Sequence, residues 1–291
     1  MTHAANRDQS KSYLRWALLA GSLVALAACA NLAATLSRDR IAEIVGSPDR
    51  SAADRNNDLR RKPEQMLAFV GLRSGMTALD LSTGGGYTAE LLARAVGPGG
   101  AVYGQSQPSR AAEAAPRPVV TPEGNSSPQL KTVQPAPSAT PAVRRTSAQA
   151  LAERAANPLL SNLHSTVRVF EDPVPPELAG RLDLVTLMFN YHDLGHMGVD
   201  RQRMNAAVFA GLKPGGLYVI ADHAGRAGTG ISESGTLHRI EEAFLRQEVE
   251  AAGFKLAGSA DFLRNPADPR DKNTPEPAQP KDEFVLKFLK P

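Results

Sequence analysis

Apolar residues occur along the chain in two spacings, as short continuous runs and as repeats three or four residues apart. Continuous runs are typical of strands buried in a parallel sheet, and the longer spacing is typical of amphipathic helices. Seven runs predict strands, at 77–81, 101–104, 166–170, 182–189, 217–221, 254–256 and 283–289. Helical spacing predicts helices from 63 to near 71, through 91 and 96, around 148–156, from 200 to 212, and over 237–249. This alternation predicts an α/β fold with a mostly parallel sheet and helices on both faces.

The N-terminal segment has the pattern of an export signal. Lys11 and Arg15 precede an uncharged run over 16–28, which has the length and flanks of a signal-peptide hydrophobic region. The run ends in Leu-Ala-Ala-Cys, which resembles the lipobox of bacterial lipoproteins, and Cys29 is the only cysteine. We predict a signal peptide over 1–28, lipidation of Cys29, and a membrane-anchored lipoprotein on the periplasmic face. The alternative is an uncleaved anchor helix, because residues 16–36 contain no charge.

Composition divides the rest of the chain. Residues 29–62 are predicted as an N-terminal tether and lead-in, and 63–291 as the globular domain. Within that domain, Gln107–Arg145 contains eight prolines and no aromatic residue. Such a segment buries too little apolar surface to offset its ordering entropy, which predicts a disordered insertion at about 107–145. The insertion is either an inert tether or a docking element.

Charge excludes one class of partner. The formal net charge is only +3, and aromatic residues are 5% of the chain with none clustered among the arginines. Nucleic-acid binding needs a basic stripe with interleaved aromatics, so no nucleic-acid partner is expected.

The strongest chemical signal is the loop after the first predicted strand. Asp80 lies at the end of that strand, and Ser82-Thr83-Gly84-Gly85-Gly86 follow before the next helix. Glycines let the backbone pass close to a ligand, and strand, glycine loop and helix open a nucleotide-binding unit. Glycine runs also follow strands for turn geometry alone.

This loop and the Leu-Lys-Pro-Gly-Gly turn at Leu212–Gly216 resemble class I S-adenosylmethionine (SAM)-dependent methyltransferases. In that family an acid and alternating glycines follow the first strand, and such a turn introduces the fifth. The likeness extends to bacterial predicted methyltransferases that often carry export signals, at residues 84–88, 102–105, 191–193, 222–223 and 263–266. It implies a Rossmann-like three-layer sandwich with a mostly parallel seven-stranded sheet and an antiparallel C-terminal strand. It also implies SAM as cofactor and a small-molecule methyl acceptor.

The resemblance assigns cofactor binding to residues near the ends of the first four strands. They are Asp80, Ser82, Gly84, Gly85, Gly86, Gln105, Glu171, Asp172 and Asn190. Ser82 stands where the family has a glycine, and Gln105 stands where an acid takes the ribose hydroxyls. Glu171 or Asp172 would approach the adenine amine; the alternative is that both are solvated acids.

Two His-Asp pairs follow the fourth and fifth predicted strands, His192-Asp193 and Asp222-His223. Ligands bind outside the carboxyl ends of such strands, so the pairs are expected to converge on one crevice. Either histidine is a candidate general base oriented by an aspartate. Alternatively the residues bind a metal, or they only cap strands and hold loops. His238 is expected on a helix surface, after a flexible loop over 225–235.

The leading hypothesis is therefore methyl transfer from SAM, driven mainly by proximity and assisted by a histidine base. A second hypothesis is a membrane-tethered binding protein that keeps the fold without catalysis, which Ser82 and Gln105 favour. A third is a metal-assisted hydrolase built on the His-Asp pairs. Fold alone does not choose among the three.

Overall fold

The computed structural model describes residues 34–108 and 145–291, in which seven strands form one sheet. The strands are β1 (Thr77–Leu81), β2 (Ala101–Ser106), β3 (Leu163–Val167), β4 (Leu182–Met188), β5 (Leu212–His223), β6 (Lys255–Ala260) and β7 (Glu283–Leu289). Their order across the sheet is β3-β2-β1-β4-β5-β7-β6. Pairing is parallel from β3 to β5, and β7 is antiparallel to β5 and β6. The predicted fold class is confirmed.

Helices cover both faces of the sheet. They are α1 (Arg38–Val45), α2 (Ala52–Arg61), α3 (Pro63–Val70), α4 (Tyr87–Val96), α5 (Ser147–Ala155), α6 (Asp193–His196), α7 (Arg201–Gly211) and α8 (Glu242–Ala251). Short 3-10 helices lie at Pro158–Leu160 and Pro176–Leu178. Successive strand side chains point to opposite faces, so Ala78 packs with α1, α3, α4 and α5 whereas Leu79 packs with α7 and α8. The continuous apolar runs are thus buried on both sides.

The segment before Pro63, expected as a tether and lead-in, is part of the folded unit. Ser37 and Ser51 cap α1 and α2, because each hydroxyl accepts a hydrogen bond from a backbone N–H of the first helical turn. Ile41 and Ile44 of α1 are buried in the same apolar cluster as α3 and α4. The compact unit spans Leu36–Pro291, so the domain boundary lies earlier than the sequence predicted.

Three element boundaries also differ from the sequence-based expectation. β3 begins at Leu163, because its pairing with Val102 of β2 fixes the register. β5 includes the Lys-Pro-Gly-Gly turn, since Leu212 already pairs with β4. The last helix begins at Glu242 rather than near 237, because Ile240 forms a parallel bridge with Ala224 before the helix starts.

Several predictions concern residues outside those described. They are the signal peptide over 1–28, the lipidation site Cys29, and nearly all of the insertion at about 107–145. Among residues 34–108 and 145–291, no helix has the length and apolar character needed to cross a membrane.

Candidate functional site

The glycine loop, residues 82–86, turns the chain sharply between β1 and α4. Ser82, Gly84 and Gly86 have φ angles of 53°, 54° and 83°. This left-handed conformation costs an L-residue roughly 1–2 kcal/mol, which the hydrogen bonds of Ser82 offset. Its N–H donates to Gln105 Oε1 at 2.9 Å, and its Oγ donates to Asn190 Oδ1 at 2.7 Å. The serine in place of the family glycine therefore ties the loop to β2 and to the residue after β4.

The carboxylate of Asp80 supports the loop from beneath. It is buried and accepts hydrogen bonds from Thr186 Oγ1 at 2.6 Å and Thr83 Oγ1 at 2.9 Å. Burial raises the pKa of Asp80 to about 6, although both hydroxyls oppose that shift. Asp80 thus holds the loop to β4 through these two hydroxyl groups.

The amide of Gln105 is occupied by the protein itself. Gln105 lies within β2 and is fully buried. Its Oε1 accepts from Ser82 N, and its Nε2 donates to the Arg168 carbonyl at 2.6 Å. The next residue, Ser106, ends β2 with a buried Oγ that has no hydrogen-bond partner among the described residues. A ribose contact of Gln105 stays a prediction, and Ser106 is a polar atom at this strand end that the sequence did not indicate.

The two acids after β3 lie apart from these contacts. Glu171 Oε1 accepts from the Asp200 backbone N–H at 3.2 Å, at the start of α7. Asp172 is exposed and pairs with Arg168. Because β3 ends at Val167, both acids follow the strand by several residues, and their adenine contact stays a prediction.

The two predicted His-Asp pairs lie together. Asp222 Oδ1 accepts from His192 Nδ1 at 2.6 Å and from the His223 backbone N–H at 2.8 Å. Asp222 Oδ2 accepts from the His192 backbone N–H at 2.8 Å. Burial would lower the pKa of His192, but the charges and hydrogen bonds of Asp222 and Asp193 outweigh it and raise that pKa to about 10. Both ring nitrogens of His192 thus lie beside carboxylates, and its role as general base stays a prediction.

Two further histidines complete what we call the histidine cluster: His192, His196, His223 and His238 with Asp193 and Asp222. His238 Nδ1 lies 2.7 Å from Asp193 Oδ1, and His196 Nδ1 lies 3.7 Å from the same oxygen. His238 belongs to the loop before α8 and its side chain is only 18% exposed. The expectation of a surface histidine on a helix was therefore wrong. Asn190 Nδ2 donates to Asp193 Oδ2 at 3.1 Å, which connects the cluster to the glycine loop.

The C-terminal end of α2 covers the crevice. The guanidinium groups of Arg60 and Arg61 lie 4.9 and 4.3 Å from the ring centroid of Phe189, whose ring contacts His223. Glu283 of β7 accepts from Arg60 Nη1 at 2.7 Å and lies 3.0 Å from His223 Nδ1. Burial would raise the pKa of Glu283, but these positive neighbours hold it below its usual value.

A small apolar cavity lies beside the glycine loop, between α3, α4 and the end of β4. Its volume is about 30 Å³. One water needs about 10–15 Å³ measured in this way, so the cavity is too small for a nucleoside. Phe189 lines the cavity and also contacts His223, so the cavity and the histidine cluster are neighbours.

Solved structures with the same arrangement are SAM-dependent methyltransferases for the most part. One from Aquifex aeolicus aligns with a TM-score of 0.52 and 17% identity over 87% of this chain and 98% of its own. The methyltransferase of a Haloferax volcanii complex with the activator Trm112 aligns at 0.51, with 17% identity over 88% of this chain and 100% of its own. The [4+2]-cyclase SpnF aligns at 0.51, with 16% identity over 89% and 97%. No family model and no curated protein sequence matches the chain.

The chain has a methyltransferase fold. In this fold the strand order reverses direction between β1 and β4, and ligands bind at that switch point. The glycine loop follows β1 and Asn190 follows β4, so the hydrogen bond between Ser82 and Asn190 crosses the switch point. The structure thus brings the predicted loop and the predicted His-Asp pairs together at the carboxyl ends of the parallel strands.

A charged network supports the glycine loop of this methyltransferase fold from outside. Arg154 of α5 donates to the Gly85 carbonyl at 2.9 Å and pairs with Asp54 of α2 at 2.6 Å and with Glu90 of α4. Burial would raise the pKa of Asp54, but Arg154 lowers it. Sequence reasoning missed Arg154, as well as Arg60, Arg61, Ser106, His196 and Glu283. Of these, Arg60 and Arg61 lie in the segment that the sequence predicted as a tether and lead-in.

Proposed function

We propose that the protein is a SAM-dependent methyltransferase. The observation that carries the proposal is the exposed backbone of Gly85 at the switch point of a methyltransferase fold. A side chain built at Gly85 would meet no atom within 4 Å, whereas one at Gly86 would meet Leu151 at 2.7 Å. The open side of the loop is therefore the side where a ligand can approach the backbone.

The residues present fit a nucleoside sulfonium ligand. The glycine loop offers backbone groups for the adenosyl moiety, and Ser106 Oγ is a buried polar atom at the end of β2 with no hydrogen-bond partner among the described residues. Asn190, which accepts a hydrogen bond from Ser82, would offer a further polar contact to such a ligand. Glu171 and Asp172 are the remaining candidates, for the adenine amine.

Bound SAM would supply an electrophilic methyl group, and the chain's own part is to hold the acceptor in line with it. Asp193 and His238 lie at the rim of the histidine cluster, with side chains 17% and 18% exposed, so both can contact an acceptor. His192 at the base carries a proton held by Asp222. Its role is to hold Asp193 in place at the rim through Nε2, which lies 3.1 Å from Asp193 Oδ1.

The N-terminal sequence supports the location of this activity. A charged start, an apolar run and Leu-Ala-Ala-Cys support a location on the periplasmic face of a bacterial membrane, as a lipoprotein acylated at Cys29. The chain would then belong to the exported group of bacterial predicted methyltransferases.

Calorimetric titration with SAM and S-adenosylhomocysteine tests the cofactor site. Gly85→Val should reduce affinity at least tenfold, because the new side chain fills the open side of the loop without a positive φ angle to strain it. Gly99→Val is the matched control, since Gly99 is also exposed and open and lies before β2, at the other end of the strand. Gly84 is unsuitable because its φ of 54° makes any side chain strained. A folded parent that binds neither ligand, or equal affinity in both variants, would exclude this cofactor site.

A second candidate is a binding protein that keeps the fold without methyl transfer. The occupied amide of Gln105 favours it, because the strand position of the family's ribose acid serves the protein's own backbone here. Binding of S-adenosylhomocysteine without turnover of any tested acceptor would support this candidate.

A further inference from the structure

Four of the chain's six histidines form one row at the crevice. The ring centroids of His196 and His238 are 5.6 Å apart, those of His238 and His192 are 5.7 Å apart, and those of His192 and His223 are 5.1 Å apart. Asp193 lies within this row. Over residues 34–108 and 145–291, this is the one place where three side chains of metal-binding type bring ligand atoms within 4.8 Å of one another.

We propose that His192, Asp193 and His238 bind a divalent transition-metal cation, with Zn²⁺ as the reference ion. Two imidazole nitrogens and a carboxylate oxygen are a donor set that zinc prefers. A ligating imidazole nitrogen carries no proton, so zinc must displace the proton that His192 Nε2 shares with Asp193. Asp193 Oδ1 lies 3.1 Å from His192 Nε2 and 2.7 Å from His238 Nδ1. Zinc–ligand bonds of about 2.1 Å put neighbouring ligand atoms roughly 3.4 Å apart, so these gaps must widen by less than about 1 Å.

Groups behind the ligands hold them in place. His192 Nδ1 bonds to Asp222 at 2.6 Å, which directs the Nε2 atom toward Asp193. A carboxylate on the far nitrogen of a ligating imidazole is the usual support in metal sites, because it fixes both the tautomer and the ring orientation. The second oxygen of Asp193 accepts from Asn190 Nδ2. The two ligands that come from the β4 end are therefore oriented before any ion binds.

The site is reachable from solvent and has room for a further ligand. His192 is fully buried at its base, whereas the side chains of Asp193 and His238 are 17% and 18% exposed. His196 lies 3.7 Å from Asp193 Oδ1 at the rim and is 38% exposed. Three protein ligands with an open position are typical of zinc that contacts a reactant. The open position would take an oxygen, nitrogen or sulfur donor of a small molecule in the crevice, whether or not SAM binds.

The competing interpretation is a set of ion pairs that needs no metal, since Asp193 already faces three imidazoles. The full chain, dialysed against a chelator, should be titrated with ZnCl₂ in a calorimeter. We expect saturable binding of one zinc per chain. Both His238→Ala and Asp193→Asn should weaken it at least tenfold, because each removes one ligand at the rim.

His164→Ala is the matched control, because His164 is an exposed histidine on the edge strand β3. Circular dichroism and melting temperature establish that each variant is folded. The substitutions are made at the rim because His192 is buried and supports the core. X-ray absorption at the zinc edge should show two imidazole ligands in the parent and one in His238→Ala.

The proposal is overturned if the folded parent shows no saturable binding. It is also overturned if binding survives both rim substitutions, which would place the ion elsewhere in the chain, or if His164→Ala weakens binding equally. The SAM titration of Gly85→Val is a separate measurement on the same preparation, so the two proposals can fail independently.

Discussion

Gln105→Glu is the substitution on which the resemblance and the structure make opposite predictions. The resemblance favours an acid at the ribose position, so a glutamate there would tighten cofactor binding. In the structure, Gln105 Nε2 donates to the Arg168 carbonyl at 2.6 Å and the side chain is fully buried. A glutamate would place a carboxylate oxygen against that carbonyl oxygen.

The loss of stability in Gln105→Glu has two sources, a missing hydrogen bond and a carbonyl that is left without a donor. One hydrogen bond disappears, and the part-buried Arg168 carbonyl then faces a second acceptor. Leaving a buried acceptor unsatisfied costs about 1–3 kcal/mol, and the buried charge adds to that. We expect a loss of about 2–4 kcal/mol at pH 8. In a domain of this size each kcal/mol lowers the melting temperature by about 2–4 °C.

The destabilisation caused by Gln105→Glu should increase as pH rises. A protonated glutamate can donate to the Arg168 carbonyl, so the folded state raises the pKa of the new carboxyl above its unfolded value. The loss is therefore small below the unfolded pKa of about 4.3 and grows as pH rises. Melting curves at acidic and alkaline pH measure it, with exposed Gln107→Glu as the control. If Gln105→Glu melted with the parent at pH 8, the structural role of this amide would be refuted.

Other substitutions test separate parts of the fold and of the sequence. Gly86→Ala should cost about 2–4 kcal/mol, because it adds left-handed strain and a contact of 2.7 Å with Leu151, whereas Gly85→Ala should melt with the parent. As pH rises from 4 to 6, the parent should lose about 3 kcal/mol of unfolding free energy, because Asp80 keeps its proton up to about pH 6 only in the folded state. Urea titrations measure this loss, and Asp80→Asn should remove it. Cys29→Ser should abolish lipid labelling and leave the precursor uncleaved, and unchanged labelling would contradict the lipoprotein prediction.

The sequence predicted most clearly the elements whose signal is local. β1 and β7 lie at the predicted residues, because continuous apolar runs between turn residues leave little choice of register. The glycine loop was also predicted from a local signal, because its left-handed backbone favours residues without a Cβ. The convergence of the pairs after β4 and β5 followed from the parallel sheet.

The features that the sequence did not predict depend on contacts between residues that lie far apart in the chain. α2 was predicted as part of a tether because it buries only Asp54, whose partner Arg154 lies far along the chain. Apolar spacing cannot detect a helix that is held by buried ion pairs. Helical spacing over 237–249 suggested a helix at His238, but this residue lies in the preceding loop, and only the fold of that loop brings it to Asp193. The role of Gln105 is likewise set by the carbonyl of Arg168, the residue after β3.

The position of β7 has a consequence for how the protein is made. β7 follows β6 in the chain, yet it lies between β5 and β6. Until it inserts, those two strands expose unpaired edges, and Arg60 and His223 lack the carboxylate of Glu283. The crevice can therefore be completed only after β7 has been synthesised. A nascent chain stalled before residue 283 would carry most of the sheet and an unfinished site, and such a chain would be a target for chaperones and proteases.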